Sequence, residues 1–197
     1  MKARIQRELI QLFSTNTFHY LEGIEHLAAA FRSENTVEKN TAIWEPSTIV
    51  ENLYFNTEGV LGEFLETAKG SVCIRIIPPF SFFWSEQSFL LWQPSDTSMI
   101  CLKKSWIYSL KGEDLRAITS TYGLGFQLGN TLSLEHVRQY RERNRRLSAL
   151  NSKQRMEAAL LANPKVLEQL SRKELASYVG ISRSSLFRVL KELQRGS

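Results

Sequence analysis

Ser171-Arg-Lys-Glu-Leu-Ala-Ser-Tyr-Val-Gly180-Ile-Ser-Arg-Ser-Ser-Leu-Phe-Arg-Val-Leu-Lys-Glu-Leu193 is the most informative stretch of the chain. Its pattern is that of two short helices joined by a tight turn. Ser171 can cap the first helix, and Glu174 stands three residues later, as in a capping box. Gly180 can adopt the left-handed conformation that ends a helix without steric cost. The stretch therefore predicts a helix-turn-helix.

The two helices of this stretch have an apolar and a basic side. The i, i+4 rule predicts an inner face made of Leu175, Ala176, Val179, Leu186, Val189, Leu190 and Leu193, with Ile181 in the angle between the helices. Ser182 is placed to cap the second helix. Its outer side carries Arg183, Ser184, Phe187, Arg188 and Lys191. Such a face suits a DNA major groove, where Arg can bond bidentately to guanine.

A helical hairpin of a bundle has the same apolar spacing, with a basic face that is merely solvated. The charge distribution favours the nucleic-acid interpretation. Residues 131–197 carry a net charge of +8 and residues 1–130 a net charge of −3. The total of +5 is therefore the sum of an acidic N-terminal part and a basic C-terminal part. This asymmetry is expected when one part of a chain meets phosphate groups.

The bulk composition restricts the remaining possibilities. A chain of 197 residues with 43% hydrophobic residues can form one large or two small domains with a substantial core. No apolar run approaches the roughly 20 residues that span a bilayer, and the start of the chain does not resemble a signal peptide. The two cysteines, Cys73 and Cys101, indicate small core residues in a reducing interior. We therefore expect a cytoplasmic protein with no membrane partner.

The first two thirds of the chain change character twice. Helical spacing at 3–13 and 17–32 is followed by a polar stretch at 33–40 that predicts a loop. Short β-branched and aromatic segments then predict a small barrel or roll. We expect a hairpin at Asn56–Gly59. The predicted strands are Thr41–Trp44, Ile49–Phe55, Val60–Thr67, Ser71–Ile77, Phe80–Trp84, Phe89–Trp92, Ser98–Leu102 and Trp106–Leu110.

Helical character returns after this region. Residues 112–118 begin a helix, and 126–149 form a long, highly charged one whose loose apolar spacing fits either a surface helix or a dimer helix. Another helix, Lys153–Ala162, ends at Asn163-Pro164 because the residue before a proline avoids the helical region.

This order of elements resembles the Crp/Fnr family of bacterial transcription regulators over nearly the whole chain. The family's recognition-helix pattern appears as Ser182-Arg-Ser-Ser-Leu-Phe-Arg-Val-Leu-Lys-Glu-Leu193, in which Arg183 and Arg188 match the two arginines that read or flank the target. A Glu commonly follows the first Arg; here it is Ser184, so the usual target sequence is not assumed. Leu53–Gly59 looks like the hairpin that opens the family's roll, and Arg155 lies in what looks like its hinge-proximal helix.

The resemblance implies an α+β fold with three parts. These are a cyclic-nucleotide-binding-like β-roll (a double-stranded β-helix) with flanking helices at 1–122, a long connecting and dimerisation helix at 123–150, and a helix-turn-helix domain at 151–197. It also implies double-stranded DNA, a second copy of the chain and RNA polymerase as partners, with a small-molecule effector of unknown identity.

The chain departs from the family at the cyclic-nucleotide phosphate site. The corresponding segments are Trp84–Phe89 and Gln93–Ser98, in which Glu86 echoes the family's glutamate but Ser95 stands where its arginine would be. An anionic phosphate without a positive partner is costly to bury. We therefore expect no binding of cyclic AMP in the usual way, which micromolar binding in a calorimetric titration would contradict. Glu86, Ser95 and Thr97 remain the candidates for contact with some other ligand.

Other sensor groups are not expected. An iron–sulfur cluster needs about four cysteines, and His19, His26 and His136 lie outside the predicted roll, so we expect neither cofactor nor metal. The aromatic segment Phe80–Trp92 fits core packing better than an apolar ligand pocket. A cupin-like enzyme is disfavoured because the predicted strands lack a His/Glu cluster.

The leading hypothesis is a homodimeric transcription regulator that is not an enzyme. Its two recognition helices would enter major grooves about 34 Å apart on a pseudo-palindromic site. Arg183, Ser184 and Arg188 would face base edges, and the phosphates would be met by Arg172, Ser182, Ser185 and Lys191. Two alternatives stay open: a regulator that binds a cyclic nucleotide or small ligand in a non-standard roll pocket, and a ligand-binding roll whose helix-turn-helix contacts proteins. A steep salt dependence of DNA binding would argue against the latter.

Overall fold

The computed structural model describes residues 1–13, 20–68 and 70–195. The helices are α1 (Lys2–Phe13), α2 (Leu21–Ala30), α3 (Glu86–Leu91), α4 (Gly112–Thr121), α5 (Gly125–Ala149), α6 (Ser152–Ala162), α7 (Pro164–Leu167), α8 (Arg172–Val179) and α9 (Arg183–Arg195). The strands are β1 (Arg32–Val37), β2 (Ala42–Trp44), β3 (Leu53–Thr67), β4 (Gly70–Ile77), β5 (Ser81–Phe83) and β6 (Thr97–Leu110). The predicted α+β class is confirmed, with an antiparallel sheet between α2 and α4 and helices on both sides of it in the chain.

Two long strands organise the sheet. β6 pairs with β1, β2 and β3, and β3 also pairs with β4 and β5, all in antiparallel directions. The register between β3 and β6 shifts at Asn56/Glu58, Glu58/Val60 and Val60/Leu61. Bulges of this kind bend a strand and increase its twist. One apolar cluster packs inside the sheet, formed by Trp44, Val50, Leu61, Ile77, Phe83, Met99, Cys101 and Ile107.

The predicted hairpin at Asn56–Gly59 is wrong. The predicted strand Val60–Thr67 and the last three residues of the predicted strand Ile49–Phe55 belong to one continuous strand, β3, and Asn56–Gly59 forms its bulge, whereas residues 49–52 are not part of a strand. Gly59 has φ +80°, and an added Cβ would collide with the carbonyl oxygen of Lys104 on β6. Ser98–Leu102 and Trp106–Leu110 likewise form one strand, β6. The residues Asn56–Gly59 form a bulge and not a turn because β3 pairs with β6 on both sides of them.

Two further predictions differ from the structure. The polar stretch at 33–40 was expected to be a loop, but β1 runs from Arg32 to Val37 because β6 supplies a pairing partner. Phe89–Trp92 was expected to be a strand, but α3 covers Glu86–Leu91 and ends at Trp92 in the left-handed conformation, with φ 57°. The predicted helix at 17–32 is observed from Leu21 to Ala30, and its first residues lie outside the described ranges.

A second cluster joins the N-terminal helices to the sheet and to the start of α5. Its buried members include Ile5, Leu9, Phe13, Ile24, Leu27, Phe55, Trp84, Leu110, Leu115, Leu128 and Leu132. At 1.5 Å per residue, the 25 residues of α5 extend roughly 37 Å. Only its first turns contribute to this core, so α5 leads the chain away from the sheet toward the C-terminal helices.

The C-terminal helices dock on the outer side of the sheet. Val166 of α7 packs with Val60 and Leu102 of the sheet. On the edge strand β4, the backbone N–H of Cys73 donates a hydrogen bond to the Ser177 hydroxyl of α8 at 2.8 Å. The helix-turn-helix is thereby placed beside the roll. Over the described residues, no helix is both long and apolar enough to cross a membrane.

Candidate nucleic-acid interface and the roll interior

The first helix of the predicted helix-turn-helix has the expected ends. The backbone N–H of Glu174 donates to the Ser171 hydroxyl at 3.3 Å, and the Glu174 carboxylate accepts from the Ser171 backbone N–H at 2.6 Å. Gly180 ends α8 with φ 72° and ψ 41°. A Cβ at this position would lie 2.6 Å from a methyl carbon of Leu147, whose side chain would have to shift, and the left-handed backbone conformation is the stronger reason for glycine.

Ser182 caps the second helix, α9. Its hydroxyl oxygen accepts a hydrogen bond from the Ser185 backbone N–H at 3.1 Å and lies 2.9 Å from each of the Ser184 and Ser185 hydroxyls. The three hydroxyl groups thus form one small cluster at the first turn of α9. This cap confirms the start of α9 that the sequence predicts.

The inner faces of α8 and α9 form the core of the C-terminal unit. Leu186 and Val189 of α9 are buried against Leu175, Ala176 and Val179 of α8, as the spacing predicts. Met156, Ala159 and Leu167 complete the buried cluster from α6 and α7. This packing fixes the orientation of α9 relative to α8, which leaves the other side of α9 free to meet a partner.

Most of the predicted contact residues lie on that side of α9, and Arg172 lies at the start of α8. Six of them are exposed: Arg172, Ser182, Arg183, Ser184, Arg188 and Lys191. Ser185 is half-buried because it turns toward the cap. No ion pair between described residues involves Arg183, Arg188 or Lys191. The surface therefore presents three cationic groups that the chain itself leaves available for phosphate or base oxygens.

Phe187 lies within this basic surface, and the sequence pattern alone assigned it no role. Its side chain is 50% exposed, and the Arg172 guanidinium carbon lies 4.6 Å from the centre of its ring. The signal was present in the spacing, because Phe187 stands four residues after Arg183 and four before Lys191 on the same helix.

Arg155 connects the end of α5 to the turn of the helix-turn-helix. Its guanidinium donates to the backbone carbonyls of Leu147 at 2.6 Å, Leu150 at 2.9 Å and Gly180 at 3.0 Å. The planar five-donor group of arginine is suited to holding several acceptors at once. Arg155 therefore positions the α8–α9 unit relative to α5.

The predicted ligand residues of the roll are brought together, but each is bound to the chain itself. The hydroxyl groups of Ser95 and Thr97 are 3.1 Å apart, and both residues are buried. Thr97 donates to the Glu63 carboxylate at 2.8 Å. Glu86, at the start of α3, accepts from His136 Nδ1 of α5 at 2.7 Å.

Arg75 of β4 lies between these groups. It pairs with Glu63 at 2.7 Å and with Glu86 at 3.2 Å, and it donates to the backbone carbonyl of Trp84 at 3.1 Å. Arg75, Glu63 and His136 were not among the site residues predicted from the sequence. Arg75 is the charged residue in the apolar strand Val72–Ile77, which is the signal that could have drawn attention to it. The space around Glu86, Ser95 and Thr97 is occupied by this ion-pair network.

The network changes the proton affinities of its members. Burial raises the pKa of the Glu63 carboxyl above its usual value, and the opposing effect of Arg75 does not cancel it. Burial also acts to raise the pKa of Glu86, but the hydrogen bond from His136 and the charge of Arg75 outweigh it and leave that pKa lowered. The hydrogen bond to Glu86 raises the pKa of His136, against a smaller effect of burial. His136 thereby ties α5 to the roll most strongly when it is protonated.

The arrangement of roll, long helix and C-terminal helices is also found in known proteins. No protein-family model matches the chain, and no curated protein does. Solved structures do: the c-di-GMP responsive global regulator CLP of Xanthomonas campestris has a TM-score of 0.68 at 19% identity, covering 89% of this chain and 92% of CLP. A CRP/FNR-family transcriptional regulator of Thermus thermophilus has a TM-score of 0.62 at 24% identity, covering 82% of this chain and 86% of that protein. This chain has the fold of CRP/FNR regulators.

A third structure extends the match. FixK2 of Bradyrhizobium japonicum has a TM-score of 0.69 at 15% identity, covering 84% of this chain and 85% of FixK2. The CRP/FNR-type fold includes the antiparallel roll, the long helix and the C-terminal helices, so the structural resemblance stated from the sequence is confirmed. CLP and the Thermus protein are described as regulators and not as enzymes.

A separate cavity lies outside the roll interior of this CRP/FNR-type fold. It has a volume of about 270 Å³ and is lined by α3, α4 and the first turns of α5. Arg116 at its edge pairs with Glu51 at 2.9 Å and lies over the ring of Trp92 at 5.1 Å. Within residues 1–13, 20–68 and 70–195, no three His, Cys, Asp or Glu side chains are grouped so that they could hold a metal ion.

The His136–Glu86 contact predicts a pH dependence of stability. Because the folded pKa of His136 lies above its unfolded value of about 6.5, the stabilisation is complete below about pH 6.5 and is lost as the pH rises through the folded pKa. Unfolding temperatures of the native chain and of His136→Gln, measured from about pH 6 to about pH 8.5, should converge as the pH rises. Arg75 and Glu63 are present in both proteins, so the difference reports on the His136–Glu86 pair. Parallel curves over this range would contradict the assignment.

Proposed function

We propose that the chain is a DNA-binding transcription regulator of CRP/FNR type that binds a pseudo-palindromic site as a homodimer. The observation that carries this proposal is the exposed basic face of α9. The opposite face of α9 packs against the capped helix α8, and Arg155 connects the α8–α9 turn to the end of the long helix α5. A helix with such a face fits the width of a major groove. The basic net charge of residues 131–197 supports the same partner.

The contact residues divide by the chemistry of their side chains. Arg183, Ser184 and Arg188 are proposed to face base edges, with the arginines bonding guanine. Ser182, Ser185, Lys191 and Arg172 are proposed to meet phosphate oxygens. Ser182 and Ser185 lie at the first turn of α9, where the helix dipole also favours an anion. Lys191 stands two turns further along the same helix.

The proposed dimer rests on the two faces of α5. One face is turned to the roll, where Leu128 and Leu132 are buried and His136 bonds Glu86. The opposite face carries exposed apolar side chains at helical spacing: Phe126, Leu134, Val137 and Tyr140. A second copy of α5 is the proposed occupant of this face, because a twofold axis along it would place two α9 helices on one duplex.

Leu134→Glu tests the dimer and its role in DNA binding. Leu134 is 61% exposed, so the change should leave the fold intact, while two like charges would face each other across the proposed interface. Light scattering of the Leu134→Glu protein should give the mass of a monomer. The same protein should no longer bind tightly to a DNA duplex that contains two half-sites. Leu161→Glu on α6 is the matched control, since Leu161 is 86% exposed and lies on another helix. A dimeric Leu134→Glu protein with unchanged DNA affinity would contradict the proposal.

A second candidate is a regulator that responds to a small ligand outside the usual cyclic-nucleotide position. The observation that favours it is the 270 Å³ cavity between α3, α4 and α5, because the Arg75 network occupies the region of Glu86, Ser95 and Thr97. CLP, which has a similar fold, is described as c-di-GMP responsive. Calorimetric titration of candidate ligands against the native chain and a Trp92→Ala variant would test the cavity.

A further inference from the structure

Phe187 occupies the centre of the surface that the proposed function assigns to DNA. On a helix of 3.6 residues per turn it falls between Arg183 and Lys191, with Ser184 and Arg188 beside it. Half of its side chain is exposed although it is a large apolar group. The inner face of α9 already has its core residues, Leu186 and Val189. Phe187 therefore does not serve the packing of the helix-turn-helix.

The ring is held in position from one side. The guanidinium carbon of Arg172, at the start of α8, lies 4.6 Å from the ring centre, in the geometry of a cation–π contact. Because the packed core of the two helices fixes α8 against α9, Arg172 and Phe187 are presented together. An apolar group placed in this way on a polar surface is suited to meet an apolar group of a partner.

The DNA major groove offers one such group. Its base edges carry hydrogen-bond donors and acceptors, and thymine alone of the four bases adds a methyl group, at C5. Resting on the proposed function, we infer that Phe187 reads a thymine in each half-site by packing its ring against the C5-methyl group. Arg172 keeps the ring in place and meets a nearby phosphate with its remaining donors. Phe187 is thus a specificity-determining residue, and it contributes an apolar contact where Arg183 and Arg188 contribute hydrogen bonds.

The experiment replaces thymine by deoxyuridine, which removes only the methyl group. A site selected from random DNA by the native chain is synthesised with each symmetric pair of thymines replaced in turn, and affinities are measured by fluorescence anisotropy. Replacement of one particular thymine pair should weaken binding of the native chain about fourfold per half-site relative to the unmodified site, because one buried methyl group is lost. Phe187→Ala should bind the thymine and deoxyuridine forms of that pair equally.

The control variant is Phe80→Ala in the roll. Phe80 is also an exposed phenylalanine (43%), and the Arg4 guanidinium lies over its ring at 4.3 Å. Its removal should leave the full deoxyuridine effect. Phe187→Leu, which keeps an apolar side chain, checks that the Phe187→Ala result does not come from misfolding, and it should retain part of the effect.

The outcomes separate the DNA-binding function from the role of Phe187. If the native chain selects no DNA sequence, the proposed function fails. If it selects a site but no thymine pair responds to deoxyuridine, or if Phe187→Ala keeps the full response, the inference about Phe187 is overturned while the proposed function stands.

Discussion

Arg75→Ala is expected to lower the free energy of unfolding by about 3–5 kcal/mol at neutral pH. Arg75 is largely covered by the roll, with 12% of its side chain exposed, and its guanidinium pairs with the buried carboxylate of Glu63 at 2.7 Å and with Glu86 at 3.2 Å. Its removal leaves Glu63 as a buried charge whose remaining side-chain partner among the described residues is the hydroxyl of Thr97. Chemical denaturation followed by circular dichroism measures the change.

A second variant and the pH dependence of Arg75→Ala serve as controls for this expected loss of stability. Arg116→Ala removes an ion pair with Glu51 in which both side chains are more than two fifths exposed, so it should cost no more than about 1 kcal/mol. In the Arg75→Ala protein, lowering the pH protonates Glu63, whose pKa is already raised by burial, so the loss should shrink as the pH falls. A cost for Arg75→Ala as small as that for Arg116→Ala would show that the network is not what holds the roll interior together.

Arg183→Ala is expected to weaken binding to the selected DNA site by about 1–3 kcal/mol per contact, while binding to unrelated DNA changes much less. Arg183 is exposed at the start of α9 and forms no ion pair with another described residue, so the protein should remain equally stable. Its proposed contact is a pair of hydrogen bonds to one guanine, which alanine cannot make. Competition binding with specific and unrelated duplexes measures both affinities.

The matched control for Arg183→Ala is Arg7→Ala. Arg7 is an exposed arginine on α1, so this variant loses the same charge at a place assigned no DNA contact. It should keep the specific affinity of the native chain. An unchanged footprint and affinity for Arg183→Ala would count against α9 as the reader of the sequence.

The helix-turn-helix could be predicted because its signals are local. The capping box of Ser171 and Glu174, the left-handed Gly180 and the cap at Ser182 each depend on residues within one turn of the chain. Such interactions form in the same way whatever surrounds them. The exposed face of α9 follows directly from the helical spacing, although the contact between Phe187 and Arg172 does not.

The roll was predicted less accurately because its details depend on distant partners. Asn56–Gly59 contains residues that can form either a hairpin turn or a bulge. They form a bulge because β3 pairs with β6 along its length. The aromatic residues of Phe89–Trp92 favour a strand by propensity, yet no described strand pairs with them and they lie at the end of α3. Tertiary pairing therefore overrides the local pattern in both segments.

The ion-pair network of the roll was the feature that the sequence predicted least well. Glu63, Arg75, Glu86 and His136 come from β3, β4, α3 and α5, and only the folded chain brings them together. A sequence shows a charged residue inside an apolar strand, but it does not show which residue will compensate that charge. Glu86, Ser95 and Thr97 belong to the same network as Arg75, which the sequence did not single out, and contact of these residues with a ligand stays a prediction.

The most direct test of DNA reading by a symmetric dimer is selection of DNA fragments from a random pool by the native chain, followed by sequencing. We expect enrichment of an inverted repeat whose half-sites are centred one helical turn, about 10–10.5 base pairs, apart. Arg183→Ala should lose the preference for one base pair in each half-site under the same conditions. Absence of any enriched sequence, or an enriched site without a repeat, would contradict the proposal that the chain reads DNA as a symmetric dimer through α9.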